Sequence, residues 1–268
     1  MLSVAVITKN EESRIKACLE SVKWADEIIV VDNGSKDDTL KIANGYTDKI
    51  FNVNLSDFAA LRNFATQKTS GDWVLFVDAD ERVLGPLKEE IEIMTTLSDY
   101  SAYAISRKNI IFGQEVKYGP FWPDWVVRLF RRDSFEGWIG QVHETLKFKG
   151  KLGYSKNSLL HLTHRSIDQV VLKSLEWSKI DAKLRFDSEH PKMSGWRFLR
   201  IFITEVFNQG ILRKGFFNGT IGIMDSLLQA FSLYITYVRL WQLQQPKDLY
   251  KVYDDLDKDL IEKKFVTE

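Results

Sequence analysis

The chain has a single cysteine, Cys18, in 268 residues, so it has no internal disulfide framework and suits a reducing compartment such as the bacterial cytosol. Neither charge is in excess. Lys plus Arg number 37 and Asp plus Glu number 37, so no global field favours nucleic acid as a partner, and any charge argument must be local. Repeats, low-complexity tracts and evident linkers are lacking as well. Residues Met1 to Ile7 run straight into Lys9, Asn10, Glu11 and Glu12, which is too short for a signal-peptide core and reads as a first strand. Only Phe216 to Val238 nears membrane-spanning length, and Asn218, Asp225 and Gln229 interrupt it, so a span is not expected there.

What is present is an alternation. Single cores stop growing near roughly 250–300 residues, so one catalytic domain with an appendage is expected. Leu2 to Ile7 is an apolar strand. Ile15, Cys18, Leu19 and Val22 then fall on one helix face, with Asn10 placed as a cap. Strands over Glu27 to Asp32, Lys49 to Val53 and Trp73 to Asp78 alternate with helices over Asp37 to Ala43 and Asp57 to Lys68. This predicts an α/β, largely parallel sheet with ligands at the carboxyl ends of its strands. After a helix near Pro86 to Leu97 come strands at Tyr103 to Arg107 and Val126 to Arg131, separated by an aromatic loop over Phe112 to Trp125. From Ser166 the pattern is helical, with Val170, Trp177, Ile180 and Leu184 on one face.

Acids stand at three of the predicted strand exits: Asn10-Glu11, Asp32 and Asp78-Ala79-Asp80. Two carboxylates one residue apart at a strand exit can offer oxygens to Mg²⁺ or Mn²⁺ and leave positions open for a diphosphate. An isolated Asp-x-Asp is also an ordinary acidic turn. Asp32 to Thr39 is first a turn and helix start built on Gly34, Ser35 and Asp37, yet Asp32 ends an apolar strand and could accept from a uracil imide or a ribose hydroxyl. Arg62 and Asn63, on the preceding helix, could reach the same nucleotide. Trp122, Trp125 and Trp138 offer stacking surfaces for sugars, and Arg128, Arg131 and Arg132 suit an acidic acceptor; both sets are also ordinary core and strand-face material.

In order, Val6-Ile7-Thr8-Lys9-Asn10-Glu11, Val30-Val31-Asp32-Asn33-Gly34-Ser35 with Asp38-Thr39, Arg62-Asn63, and Trp73 to Glu81 resemble a family 2 inverting glycosyltransferase of the GT-A fold. Pro123-Asp124-Trp125, Arg128 to Arg132, Val142-His143-Glu144 and His161 are similar to the subgroup of lipopolysaccharide core glucosyltransferases. The resemblance implies a GT-A catalytic domain over residues 1–165, with a donor half 1–98 and an acceptor half 99–165, followed by a helical C-terminal extension over 166–268. It also implies roles. Thr8, Asn10, Glu11, Asp32, Arg62, Asn63 and Asp78 would bind a nucleotide-sugar donor, UDP-glucose by analogy with the subgroup. Asp80 and His161 would hold one divalent metal ion, with His164 competing for the second position. Glu144 would be the catalytic base, and Trp125, Arg128 and His143 would face a glycan or glycolipid acceptor.

The tail joins Phe198, Leu199, Ile201, Phe202, Ile203, Val206 and Phe207 to Arg197, Arg200, Arg213 and Lys214. Three arrangements suit this mixture: a helix in a membrane interface on the inner face of the cytoplasmic membrane, packing on the catalytic domain, or a homodimer through the C-terminal helices. Two rival functions stay open, a nucleotide-sugar or glycan-binding module without catalysis and an Asp-x-Asp phosphohydrolase.

Overall fold

A computed structural model describes residues 1–55, 57–97, 99–118, 122–140 and 144–262. By its contacts the chain divides into two units, Met1–Arg165 and Ser166–Glu268.

In the first unit the strands are β1 (Leu2–Thr8), β2 (Glu27–Asp32), β3 (Ile50–Asn52), β4 (Trp73–Asp78), β5 (Glu81–Arg82), β6 (Ala102–Ile111), β7 (Gln114–Glu115), β8 (Asp124–Arg131), β9 (Phe135–Ile139), β10 (Thr145–Phe148) and β11 (Leu152–Leu162). The helices are α1 (Glu12–Val22), α2 (Thr39–Ala43), α3 (Phe58–Lys68) and α4 (Gly85–Met94). The main sheet runs β3-β2-β1-β4-β8-β6-β11-β5, with β7 beside β6, and β9 and β10 form a separate ribbon. Strands β3, β2, β1 and β4 are mutually parallel, and β6 runs parallel to β11. Strand β8 is antiparallel to both β4 and β6. Mixed α/β character around a mostly parallel sheet is thus observed.

Alternation along β4 shows how the sheet is covered. Leu75 and Val77 pack with Ile15 and Leu19 of α1 and with Leu87 and Ile91 of α4. Val74 and Phe76 pack on the other face with Leu61 and Ala65 of α3 and with Trp138 of β9. A sheet buried on both faces needs strands that are apolar throughout, which is why β1 and β4 read as continuous runs. The buried face of α1 is Ile15, Cys18, Leu19 and Val22, as its spacing predicts. Asn10 does not cap α1: Glu11 occupies that position, and Asn10 adopts a left-handed φ of 54°. Its amide oxygen instead accepts from the Lys36 backbone N–H at 2.8 Å.

The second unit contains α5 (Ile167–Asp187), α6 (Gly195–Phe207), α7 (Gly219–Leu243) and α8 (Leu249–Ile261). Ser166, Ser194 and Asp248 cap α5, α6 and α8 with their side chains. The expected apolar face of α5 is not the buried one. Val170, Ser174, Ser178 and Ala182 are buried, whereas Ile180 and Leu184 are exposed. Small side chains at four-residue spacing let α5 and α7 approach closely, and Arg239 Nε of α7 donates to Ser178 Oγ at 2.9 Å. Between α6 and α7 the chain makes a π turn, Asn208–Leu212, and a 3-10 turn, Gly215–Phe217. Helix α7 is long and apolar enough to cross a membrane by length and composition.

Candidate active site

Register places the exits of three neighbouring strands side by side, with Thr8 opposite Asp32 and Ile7 opposite Asp78. The loops leaving β1 and β2 are tied together. Asn10 N donates to Ser35 Oγ at 2.7 Å, Glu11 N to Thr39 Oγ1 at 2.8 Å, and Glu12 N to Asp37 Oδ2 at 3.1 Å. They border a cleft of ≈ 670 Å³ lined by Lys9, Asn10, Asn33, Gly34, Lys36, Asn52, Val53 and Asn54. Gly34 turns there at a φ of 81°. A polar cleft with two lysines at the carboxyl ends of parallel strands suits a phosphorylated, hydrogen-bonding ligand.

Asp32 is not presented to this cleft. It is fully buried, Oδ2 accepts from Gly34 N at 3.0 Å and Ser35 N at 2.8 Å, and Oδ1 accepts from Ser35 Oγ. The carboxylate shapes the loop. Asn63, likewise expected at the donor, pairs both ways with the Trp138 backbone, through Nδ2 to the carbonyl at 3.0 Å and from the N–H to Oδ1 at 2.8 Å, and so ties α3 to β9. Thr8 Oγ1 is buried and has no hydrogen-bond partner among the described residues. Glu11 pairs with Arg14 at 3.0 Å. Burial pushes its carboxyl above the ordinary range, Arg14 opposes that, and the charge of Asp80 adds to it.

Behind Asp78 lies a stack of alternating charge. Arg62 NH2 reaches Asp78 Oδ1 at 3.1 Å, and Arg128 NH2 bonds Asp78 from the other side. Arg128 also meets Glu81 Oε1 at 3.1 Å, and Arg107 lies 3.6 Å from that oxygen. Glu81 Oε2 accepts from the Asp78 backbone N–H at 2.9 Å. Burial alone would raise the Asp78 carboxyl, but Arg128, Arg62 and Arg107 hold it far below the usual carboxylate range. Burial likewise opposes the charge of Arg128, and Asp78, Glu81 and Glu144 more than restore it. Arg128, expected on the acceptor side, therefore lies beneath Asp78 as a buried strut. Asp78 in turn has its oxygens committed to guanidinium groups.

Asp80 has a different neighbour. Strand β5 pairs antiparallel with β11 so that Glu81 faces His161, and β11 pairs with β6 so that His161 faces Asn109. The result is His161 Nε2 at 3.4 Å from Asp80 Oδ2 and His161 Nδ1 at 2.6 Å from Asn109 Oδ1. The Asn109 amide is oriented by its other end, because Nδ2 donates to Asp124 Oδ2 at 2.9 Å, and Arg107 grips Asp124 through Nε at 2.8 Å. With its amide oxygen turned to the ring, Asn109 accepts from Nδ1 and leaves Nε2 directed to the side where Asp80 stands. Among the described residues no cluster of three or more metal-ligating side chains forms. His164 lies just past the end of β11, at a φ of 45°.

Glu144 meets Arg62 as well, with Oε1 accepting from Nε at 2.8 Å. The Arg62 guanidinium, 5.1 Å from the Phe76 ring and 5.2 Å from the Trp138 ring, thus joins Glu144 to Asp78. Trp125 is exposed and meets Tyr154 edge-on at 5.2 Å. His143 lies outside the described residues.

Residues 3–142 match Glycosyl transferase family 2. The chain belongs to this family. It is 31% identical over 256 residues to a glycosyltransferase of Rickettsia typhi, covering 90% of this chain and 87% of that one. It is 27% identical to the lipopolysaccharide core biosynthesis glycosyltransferase LpsC of Rhizobium meliloti, over 95% and 97% of the two chains. Among solved structures, glucosyl-3-phosphoglycerate synthase from Mycobacterium tuberculosis aligns over 72% of this chain and 81% of its own, with a TM-score of 0.47 and 17% identity. A likeness that slight fixes neither donor nor metal.

For a glycosyltransferase, the polar residues not foreseen as part of the site are Glu81, Arg107, Asn109 and Asp124. Arg107 and Asn109 stand in the polar run Ser106 to Asn109 of β6, Glu81 and Asp124 open β5 and β8, and only pairing across β5, β11, β6 and β8 brings them to Asp78 and His161. The signals in the sequence are Glu81, an acid directly after Asp80, and Asp124 within Pro123-Asp124-Trp125.

Proposed function

We propose that this glycosyltransferase moves a hexose, glucose from UDP-glucose, with inversion to a cell-envelope glycan such as the lipopolysaccharide core, and that it works in the cytoplasm at the inner face of the membrane. The observation that carries the reading is the meeting of Asp80 and His161 at the exit of β4, next to the cleft at the ends of β1 to β3. Similarity to LpsC across nearly the whole length of both chains supports the acceptor class. The sugar and the uridine rest on the resemblance of the motifs.

Asp80 and His161 fit a divalent ion such as Mg²⁺ or Mn²⁺. One carboxylate oxygen and one imidazole lone pair face each other, and a protein that supplies only two ligands leaves positions for phosphate oxygens and water. Bound there, the ion would stabilise the negative charge of the departing diphosphate. Lys9 and Lys36 would meet the nucleotide in the cleft, with Thr8, Asn10 and Glu11 at its edge. Arg62 and Asp78 form the support between the donor side and Glu144. Arg62 holds Oε1 of Glu144, and among the described residues Oε2 has no partner, so Oε2 is the atom to take the proton of the attacking hydroxyl. Pairing with a guanidinium fixes the direction of the carboxylate, and direction is a large part of an in-line transfer. Trp125 and His143 complete the acceptor side.

A thermal-shift panel of nucleoside diphosphate sugars, with and without Mn²⁺, tests the donor, because a ligand of the folded state raises the melting temperature. UDP-glucose should give the largest shift, and only with the ion. Release of inorganic phosphate from simple esters would point to the phosphohydrolase instead. Donor binding without any release of nucleoside diphosphate, when envelope glycans are supplied, would leave a binding module.

A further inference from the structure

The helical unit is built with its polarity reversed. Its tip is packed from glycines: a Cβ on Gly215 would lie 1.9 Å from Ser226 Oγ, one on Gly222 2.0 Å from the Gly215 carbonyl oxygen, and one on Gly210 2.5 Å from the Phe216 ring. Facing inward on α7 are Gly222, Asp225, Ser226, Ala230 and Thr236, followed by Leu240, which packs with Ala182 and Met193 in a small apolar cluster near the far end of the helix. Toward the tip the large apolar groups point outward. Trp196 is 70% exposed, Leu212 65% and Phe217 72%, and Leu199, Met224 and Phe231 extend the same character along α6 and α7. Only 28% of the most apolar stretch of α7 is buried. In water such an arrangement loses the main driving force of folding, whereas small and polar groups inside with large apolar groups outside is how helices pack in lipid.

We propose that α6, the tip and α7 form a preformed hairpin that seats in the interfacial layer of an anionic lipid bilayer. Charge selects this occupant. Arg197, Arg200, Arg213 and Lys214 lie within the same stretch, and the single acid between Gly195 and Met224 is Glu205, whose Oε1 already takes the Gln209 amide at 2.6 Å. A second copy of this surface would bring four cations against the same four. The acidic amphipathic α8 of another copy is too short: its 13 residues span about 20 Å, against about 37 Å for the 25 of α7. Anionic headgroups meet the cations while acyl chains take Leu212 and Phe217. The inference stands on the helical unit alone and does not depend on the donor or acceptor proposed above.

The test is co-flotation of the full chain with vesicles of phosphatidylcholine, alone or with one-third phosphatidylglycerol, beside gel filtration. The chain should float with the anionic vesicles and detach as salt is raised from low to high ionic strength. The double variant R213Q/K214Q should lower the partition coefficient roughly 25-fold, at about fivefold per cation. L212E/F217E, with circular dichroism unchanged because both side chains are exposed, should abolish flotation. No flotation of the wild-type chain with either vesicle at low salt overturns the proposal. A wild-type dimer that does not float and that L212E/F217E converts to a monomer also overturns it, in favour of a second copy. A chain that floats but releases no nucleoside diphosphate from any nucleotide sugar would sink the glycosyl-transfer reading and leave this one standing.

Discussion

The two units of this chain place charge and apolar surface in opposite ways. In Met1–Arg165 the apolar side chains are inside, and the buried charges Glu81, Arg62 and Arg128 are paired with the half-buried Asp78 and Arg107 in a stack under the strand exits. In Ser166–Glu268 small and polar side chains line the helix contacts, and Trp196, Leu212 and Phe217 stand outside. The first arrangement uses the core to fix charged groups at the strand exits. The second leaves hydrophobic area unspent in water. The difference teaches that a similar proportion of apolar residues can build a core in one unit and a surface in the other.

Glu144→Gln is the sharpest probe of the first unit. It should lower the transfer rate by about 10²–10⁴ and leave the donor's thermal shift in place. Near-normal turnover in a steady-state assay would remove Glu144 as the base. Arg128→Met should cost about 3–5 kcal/mol in urea unfolding, because it leaves the buried Glu81 and the half-buried Asp78 short of a partner. Leu212→Ser in the second unit should cost within about 0.5 kcal/mol. Equal losses for the two variants would break the comparison.

Acid should separate the units by sign. Burial would raise the Glu27 carboxyl, but bonds from Lys49, Ser3 and Ser70 bring it down to about 2. A folded value below the unfolded one of about 4.3 means stability present above pH ~4.3 and lost as pH falls through about 2. With Lys49 half-exposed, the loss is on the order of 2 kcal/mol. In α7 burial pushes the Asp225 carboxyl up, against the amide of Gln229. Its sign is opposite: the penalty on the folded state is absent at low pH and grows as pH rises through the raised value. Region-resolved hydrogen exchange should therefore show the first unit loosening before the second as pH drops from 5 to 3, and the reverse order would contradict both assignments.

Asn109→Leu should weaken Mn²⁺ binding in the presence of UDP by about 10–100-fold, read by electron paramagnetic resonance, since it frees the His161 ring from the amide that sets its tautomer. An unchanged affinity would separate Asn109 from the metal. The smallest effect is expected for Asp225→Asn, a gain of at most about 1 kcal/mol at neutral pH measured by urea unfolding. A loss would show that the buried carboxylate is a needed partner inside the hairpin.

Much of the first unit was legible beforehand. Continuous apolar runs at β1, β2 and β4 and the spacing of Ile15, Cys18, Leu19 and Val22 are local signals, and they appear as buried strands and a buried helix face. The charge stack was not legible, because Glu81, Arg107, Asn109 and Asp124 are brought together by strand pairing between segments distant in sequence. In sequence Asp32 and Asn63 resemble ligand contacts, since nothing local shows that a loop backbone or the Trp138 backbone bonds their oxygens. On α5 the large side chains drew the face, while close helix approach chose the small ones.

The sequence by itself determined the strands of the parallel half and parts of β6 and β8, the order of the motifs and the family, because these depend on residue type and on spacings of a few positions along one chain; β5, β7, β9, β10 and β11 it did not mark. Tertiary structure alone decided that Asp80 faces His161, that Arg62 joins Asp78 to Glu144, and that the helical unit turns its large apolar groups outward. Those outcomes depend on register between remote strands and on how closely two helices can approach, and neither quantity is carried by any short stretch of sequence.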